Sequence, residues 1–356
     1  MIKIAEIWGL GFDKVAKELE ISVENVDGIL LDFLCEIRYK FEHPSFYKIF
    51  DIAYQHNIPI TILTPYLREM PPLLDFNDPK YKNIKMIHWE TFWFNRTYEA
   101  WKYHDELNTT KGLEMFNLRI GENISEFKYP YITLNNISKN HRCHIMDLLA
   151  KHNLIDLGAI VWRDIRRNCD DIRHTFADNI TDSVYYGYPY KYWTPKRMFL
   201  DQGIEFKNQE TLPIEFNSSF MQLVTESDNE VLFHSEKTAT PILLNKIFLI
   251  AGVKGQHSHL KKLGFELYDE IFDYSFDDID DENIRYEKLV ENIKRISDKP
   301  LIELKEIHHN LFEKIVYNKQ HALNLINNIP PEIYQVVDMI KQENTDPYTG
   351  PLNILL

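Results

Sequence analysis

Cysteine is scarce in this chain of 356 residues. Only Cys35, Cys143 and Cys169 occur, far apart and never as CxxC. That spacing offers neither a disulfide framework nor a cysteine zinc site, and it fits a reducing compartment. Positive charge is also in short supply: 40 Lys and Arg stand against 54 Asp and Glu, a balance of −14. A general electrostatic grip on nucleic acid needs clustered basic residues. Only a local basic cleft keeps that function open. No apolar run approaches the roughly 20 residues of a membrane span. The opening "MIKIAEIWGLGFDKVAKELE" carries charges throughout and lacks the apolar core of a secretory signal. The expectation is a cytoplasmic protein with no membrane span. Three catalytic signatures are missing as well. There is no GxGxxG, no GxxxxGK[ST] and no GxSxG, so dinucleotide, P-loop and serine-hydrolase readings lose their best support.

What is present reads as a globular α/β protein. Hydrophobic residues make up 44% and charged residues 26%, and the length suits two domains of ordinary size. Short apolar runs alternate with amphipathic stretches. "GILLDFL" (28–34), "IPITILT" (58–64) and "IKMIHWETFWF" (84–94) read as strands. Between the first two, Phe46, Ile49, Phe50 and Ala53 recur at helical spacing. Periodicity weakens over 107–130, and the pattern then restarts. "YPYITLNN", "LIDLGAIVW" and "SSFMQLVTES" read as strands, and "KNHRCHIMDLLAKHN" as a helix with Ile145, Leu148 and Leu149 inward. Two α/β halves are therefore expected over 1–125 and 126–330, with 331–356 as a peripheral tail. Late in the second half, Leu301, Leu304, Ile307, Leu311 and Ile315 make one helical stripe. Residues 163–212 match no pattern. Open parallel sheets bind ligands beyond the carboxyl ends of their strands, which directs attention to the loops after Asn136, Ser227 and Gly252.

Some chemical signals have a plain reading beside a functional one. Asp277, Asp278, Asp280 and Asp281 are oxygen donors of the kind Mg²⁺ uses. They also precede an amphipathic helix, where acids cap and complement the dipole, and capping is the reading we expect. The pairs His257/His259 and His308/His309 lack a third ligand for zinc. Arg142 stands at the start of a helix that follows a strand, where free N–H groups favour phosphate and a guanidinium adds a planar donor fork. A surface arginine fits the same position. Glu236 and Lys237 follow Ser235, a cap residue, in "FHSEKTATPILLNKIFLIAG". A carboxylate accepts hydrogen bonds from a ribose diol, and a lysine meets phosphate as a compact charge. A capping acid beside a solvated lysine explains the pair equally well in isolation.

The wider stretch "SFMQLVTESDNEVLFHSEKTATPILLNKIFLIAG" resembles the donor-binding segment of α1,3-fucosyltransferases, glycosyltransferase family 10. Glu226-Ser227, Ser235-Glu236-Lys237 and Ile247 to Gly252 occupy the places of that family's E-N/S element, T/S-E-K element and glycine-ended strand. "YITLNNISKNHRCHIMDLLAKHNLIDLGAIVW" is similar to the opening of its nucleotide-binding half, with Arg142 matching its arginine. The resemblance covers roughly residues 128–265. Pro241 and the details after the Glu-Lys pair depart from the family, so fucose and guanine are not carried over.

The resemblance implies a GT-B fold, two Rossmann-like domains facing a cleft. The first domain would take the acceptor, a glycan or another hydroxyl compound, and the second a nucleotide-diphosphate sugar as co-substrate. Glu226, Ser235, Glu236, Lys237 and Arg142 would form the nucleotide-sugar site, with Glu236 on the ribose and Arg142 and Lys237 on the diphosphate. Transfer would be inverting, with neither metal nor cofactor. Inversion needs a base, which the family takes from a carboxylate of its first domain. Glu90 in "MIHWETFWFN" is the candidate, with Glu99 and Asp105 behind it. Glu90 fits equally a rim acid beside an aromatic core. Two other functions stay open: a non-catalytic nucleotide- or sugar-binding protein, and a glucosyltransferase-like enzyme acting on modified DNA bases.

Overall fold

The computed structural model describes residues 2–6, 11–34, 44–65, 75, 77–106, 126–135, 139–162, 165–168, 171–176, 191–192, 212, 215–227, 229 and 231–343. The protein is α/β with parallel sheets, compatible with a Rossmann-like fold. Two compact units divide it. One is Met1–Glu99 together with Leu325–Leu356, and the other is Ala100–Asn324. The segment 107–125, next to the expected boundary, lies outside the described residues. No described helix is long and apolar enough to cross a membrane.

The first unit begins β1 (Ile2–Glu6), α1 (Gly11–Ile21), β2 (Gly28–Asp32), α2 (Pro44–Gln55), β3 (Ile60–Thr64) and β4 (Ile84–His88). The four strands form one parallel sheet in the order β1-β2-β3-β4. All five residues of β2 are buried, as a strand covered on both faces requires. Phe46, Ile49, Phe50 and Ala53 are buried along α2, as their spacing predicts.

Two expectations are corrected here. The strand expected over 84–94 stops at His88, and helix α3 (Phe92–Glu106) starts four residues later. The Trp89 N–H reaches the Thr64 carbonyl at 2.8 Å, and the Thr91 carbonyl then accepts from Phe94 and Asn95. A short aromatic run such as "TFWF" suits either structure, because periodicity cannot separate them over so few residues. The peripheral tail is the second correction. Residues 331–343 form a helix whose Ile333, Val336, Val337 and Ile340 are buried with Leu30, Leu34, Leu63, Ile87, Trp89 and Phe92. The i, i+3, i+4, i+7 spacing gives it an apolar face that needs covering. The turn-rich end, 344–356, lies outside the described residues.

The second unit holds β5 (Tyr129–Asn135), α4 (Asn140–Lys151), β6 (Ala159–Trp162), the antiparallel pair β7 (Ile165–Asn168) and β8 (Asp171–Phe176), a short α5 (Glu215–Ser218) and β9 (Ser219–Thr225). Then come α6 (Glu236–Leu243), β10 (Ile247–Ala251), α7 (Gln256–Lys262), α8 (Glu282–Ser297), α9 (Leu301–Asn310) and α10 (Phe312–Ile326). The remaining helix, α11, is the Pro331–Glu343 segment of the first unit. The stripe expected from Leu301 is divided at Leu311, which ends α9. Leu304, Leu311 and Ile315 are buried and Leu301 is exposed.

Strands β10, β9, β5 and β6 make a parallel sheet in that order. Strand order matters more than strand count here. After β5 the chain builds β6 on one side; after β9 it builds β10 on the other. The direction reverses between β5 and β9. A sheet that reverses in this way opens a crevice at the carboxyl ends of those two strands.

Candidate functional site

Side chains join the two strand ends at this reversal. The Thr225 hydroxyl donates to Asn135 Oδ1 at 2.6 Å, and Asn135 Nδ2 donates to Thr133 Oγ1 at 3.1 Å. All three residues are buried. Just beyond β9 lies Glu226, which is 0% exposed. Its carboxylate accepts from the Ser227 N–H (2.8 Å), the Ser235 N–H (3.1 Å), the Ser235 hydroxyl (2.5 Å) and the Thr238 hydroxyl (2.5 Å). Four donors occupy this acid within its own chain. Glu226 therefore builds the site, pinning the start of α6 to the end of β9, and is not placed to meet a ligand. Ser235 is used in the same way. It caps α6 by accepting from the Lys237 N–H at 3.2 Å and is 0% exposed. Pro241 does not delay this helix: α6 begins at Glu236.

Four basic side chains converge on the two residues Glu226 and Ser227. Arg142 Nη2 donates to the Glu226 carbonyl at 3.0 Å. His141 Nε2 lies 2.9 Å from the same oxygen, and since a carbonyl only accepts, that nitrogen carries the proton. Lys139 Nζ donates to the Ser227 carbonyl at 2.5 Å, and Lys237 Nζ to the Ser227 hydroxyl at 2.7 Å. Burial, then the neighbouring Arg142, pushes His141 down to about 3, so it is neutral. Arg142 is 3% exposed, and burial pulls it below its ordinary value, with Glu236 and Glu226 opposing that in part.

Unlike the buried Glu226, Ser235, His141 and Arg142, the residues Glu236 and Lys237 keep an open side. They pair with each other, and their side chains are 23% and 21% exposed. Burial raises the Glu236 carboxyl, but Lys237, the hydrogen bonds and Arg142 more than offset it and hold the group below its ordinary value. Three cations, Lys139, Arg142 and Lys237, thus stand against Glu226 and Glu236 in a chain whose overall balance is −14. Helix α4 starts in the same place, just after Lys139, whose own side chain does not cap it. The sequence-expected residues Arg142, Glu226, Ser235, Glu236 and Lys237 come together here. Lys139 and His141 were not expected, although the basic run "SKNHR" at the turn into α4 carried that signal, and Ser227 was expected only as part of the E-N/S element.

Glu90 belongs to the first unit. It is half-buried on the turn between β4 and α3, just past the carboxyl end of β4. Trp89 and Phe92 beside it are fully buried, with ring centroids 5.3 Å apart. Glu99 lies further along α3, and the Asp105 side chain is outside the described residues.

Of the acidic stretch, Asp281 caps the helix that follows it, as expected, while Asp277 reaches back to the preceding helix and Asp280 pairs with Lys254. Asp277 accepts from the His257 and Ser258 N–H groups at the start of α7, and Asp281 from Asn283 and Ile284 at the start of α8. His257 is held between Asp277 Oδ1 (3.0 Å) and the Ile250 N–H (3.0 Å). Among the described residues, no three His, Cys, Asp or Glu side chains are grouped to hold a metal ion. Compared with known proteins, the chain matches no family model, no curated protein and no solved structure.

Proposed function

We propose that this chain is a glycosyltransferase of the GT-B type, moving a sugar from a nucleotide-diphosphate donor to an acceptor hydroxyl. One observation carries the reading: Arg142, Glu236 and Lys237 converge at the carboxyl ends of β5 and β9, where the sheet reverses. A carboxylate beside two cations suits a ribose diol joined to a diphosphate. In this reading Glu236 accepts from the ribose hydroxyls. Arg142 and Lys237 meet the diphosphate, with the start of α4 adding its favourable field.

The reaction in this reading takes its base, Glu90, from the resemblance stated for the sequence and not from its place in the fold. The acceptor oxygen attacks the anomeric carbon and gives its proton to Glu90. The bond from that carbon to the diphosphate oxygen breaks, and its electron pair leaves with the diphosphate. Fixed cations around the departing charge lower the barrier without reorganising. Attack from the face opposite the leaving group inverts the centre.

A thermal-shift panel of UDP-, GDP-, CMP- and TDP-sugars, paired with a donor-hydrolysis assay, tests the reading. A ligand that binds only the folded state raises the melting temperature. The expected result is a shift with one base and slow release of its sugar; binding with no hydrolysis or transfer would make the chain a binding protein instead. For the base, Glu90→Gln is expected to lower kcat about 10²–10⁴-fold with donor affinity kept. Near-normal transfer by that variant removes Glu90 from the mechanism.

A further inference from the structure

We infer that Gln256 is a positioning residue for the nucleotide site, a latch on α7 that fixes the segment carrying Glu236 in addition to Glu226. This rests on the reading above for the identity of the ligand. Glu226 holds Ser235 through its N–H and hydroxyl. The two residues before it, Phe233 and His234, are held from α7. Gln256 Nε2 donates to the Phe233 carbonyl at 2.7 Å and lies 3.1 Å from His234 Nδ1. An amide nitrogen has two protons and no acceptor capacity, so one amide serves both contacts, and His234 Nδ1 must be bare.

The consequence runs on through a second ring. With Nδ1 accepting, the His234 proton sits on Nε2, 3.0 Å from His259 Nδ1. The two imidazoles stack with centroids 5.1 Å apart. Gln256 thereby sets the tautomer of His234 and the hydrogen bond that ties it to α7. Gln256, His234 and His259 are 1%, 2% and 7% exposed, so water offers no substitute. His257 and Asp277 are the other titratable groups that act on His234.

The loop before α7 is shaped for this contact. Gly255 has φ +82, a left-handed conformation that brings Gln256 to the start of the helix. Gly252 lies flat beneath the Gln256 amide; a Cβ there would stand 3.2 Å from Oε1 and 3.3 Å from Cδ. The loop after β10 therefore sets the loop after β9 through one side chain. Glu236, three residues beyond Phe233, inherits that placement.

The test uses Gln256→Glu, Gln256→Leu and the milder Gly252→Ala, with GDP and UDP as the probes. In wild-type protein free of ligand, ¹⁵N–¹H correlation should show the His234 proton on Nε2. In Gln256→Glu it should move to Nδ1, because a carboxylate can only accept. Nucleoside diphosphate affinity should fall about 5- to 30-fold in both Gln256 variants, as two hydrogen bonds are lost, with KM for the donor rising and kcat little changed. Gly252→Ala should fall in the same direction by less. Between about pH 8 and pH 5.5 Gln256→Glu should recover part of its affinity while Gln256→Leu does not, since a buried carboxyl protonates in that range and donates again. Wild-type affinity in all three variants, or an unchanged His234 tautomer in Gln256→Glu, overturns the latch. Absence of any GDP or UDP binding by wild type overturns the nucleotide reading instead, while the tautomer measurement still decides the latch.

Discussion

Glu226 and Glu236 are the same residue type ten positions apart, and their surroundings give them opposite tasks. Glu226 is enclosed by four donors at 2.5–3.1 Å. Glu236 keeps 23% of its side chain open. Glu226→Gln places an amide N–H against at least one of those donors. The expected loss is about 1–3 kcal/mol of stability, read by urea denaturation; an unchanged midpoint would mean the four bonds do not hold α6. Lys246 makes the reverse case. It is 1% exposed, and its ammonium has the Ser219 carbonyl at 2.6 Å and the Phe216 ring at 5.0 Å. Burial pushes it down to about 7 from 10.5. Between those two values the unfolded chain binds the proton and the folded protein does not, so stability rises with pH across that window. Below it, the burial cost is felt in full. Lys246→Met is therefore expected to stabilise the protein by about 1–3 kcal/mol at or below neutral pH. The gain should shrink toward pH 10, and a gain independent of pH would contradict the assignment.

At the scale of elements, the core strands of both sheets were legible because parallel strands covered on both faces read as nearly continuous apolar runs. β2, β3, β9 and β10 are of this kind. The boundary between β4 and α3 was not legible, because an aromatic cluster at a strand–helix junction fits both periods. Helix α11 has a legible pattern, since Ile333, Val336, Val337 and Ile340 have helical spacing, but the turn-rich sequence after them points to a loose end. Its place in the core makes a quantitative claim. Ile333 is 0% exposed, so Ile333→Ala should cost about 2–5 kcal/mol in chemical denaturation. A cost below about 0.5 kcal/mol, typical of surface positions, would show that α11 is only laid against the unit. In the site, Glu236, Arg142 and Lys237 were readable from residue types, and Lys139 was not. Which acid faces outward was not, because that depends on where Ser235 and Thr238 return to the end of β9.

Over the whole molecule, the chain returns to its first unit only after the second is complete, with Leu325–Leu356 joining Met1–Glu99. No sequence pattern marks such a return, since it is made by packing between segments more than 200 residues apart. Charge adds a second feature of this scale. A balance of −14 disfavours anions in general, so an anion site needs cations gathered in one place, and Lys139, Arg142 and Lys237 are so gathered. The account's central claim is that these side chains meet the diphosphate and Glu236 the ribose. It is tested most directly by calorimetric titration of a nucleoside and its diphosphate into wild type, Arg142→Ala, Lys237→Ala and Glu236→Ala, with melting temperatures taken in parallel. The prediction is a loss of about 10- to 100-fold for the diphosphate in each variant, the worth of one charge-assisted hydrogen bond. Nucleoside binding should weaken only in Glu236→Ala. Unchanged diphosphate affinity in all three variants, with a modest drop in melting temperature, would contradict the claim and leave Glu236 a helix-capping acid beside a solvated lysine.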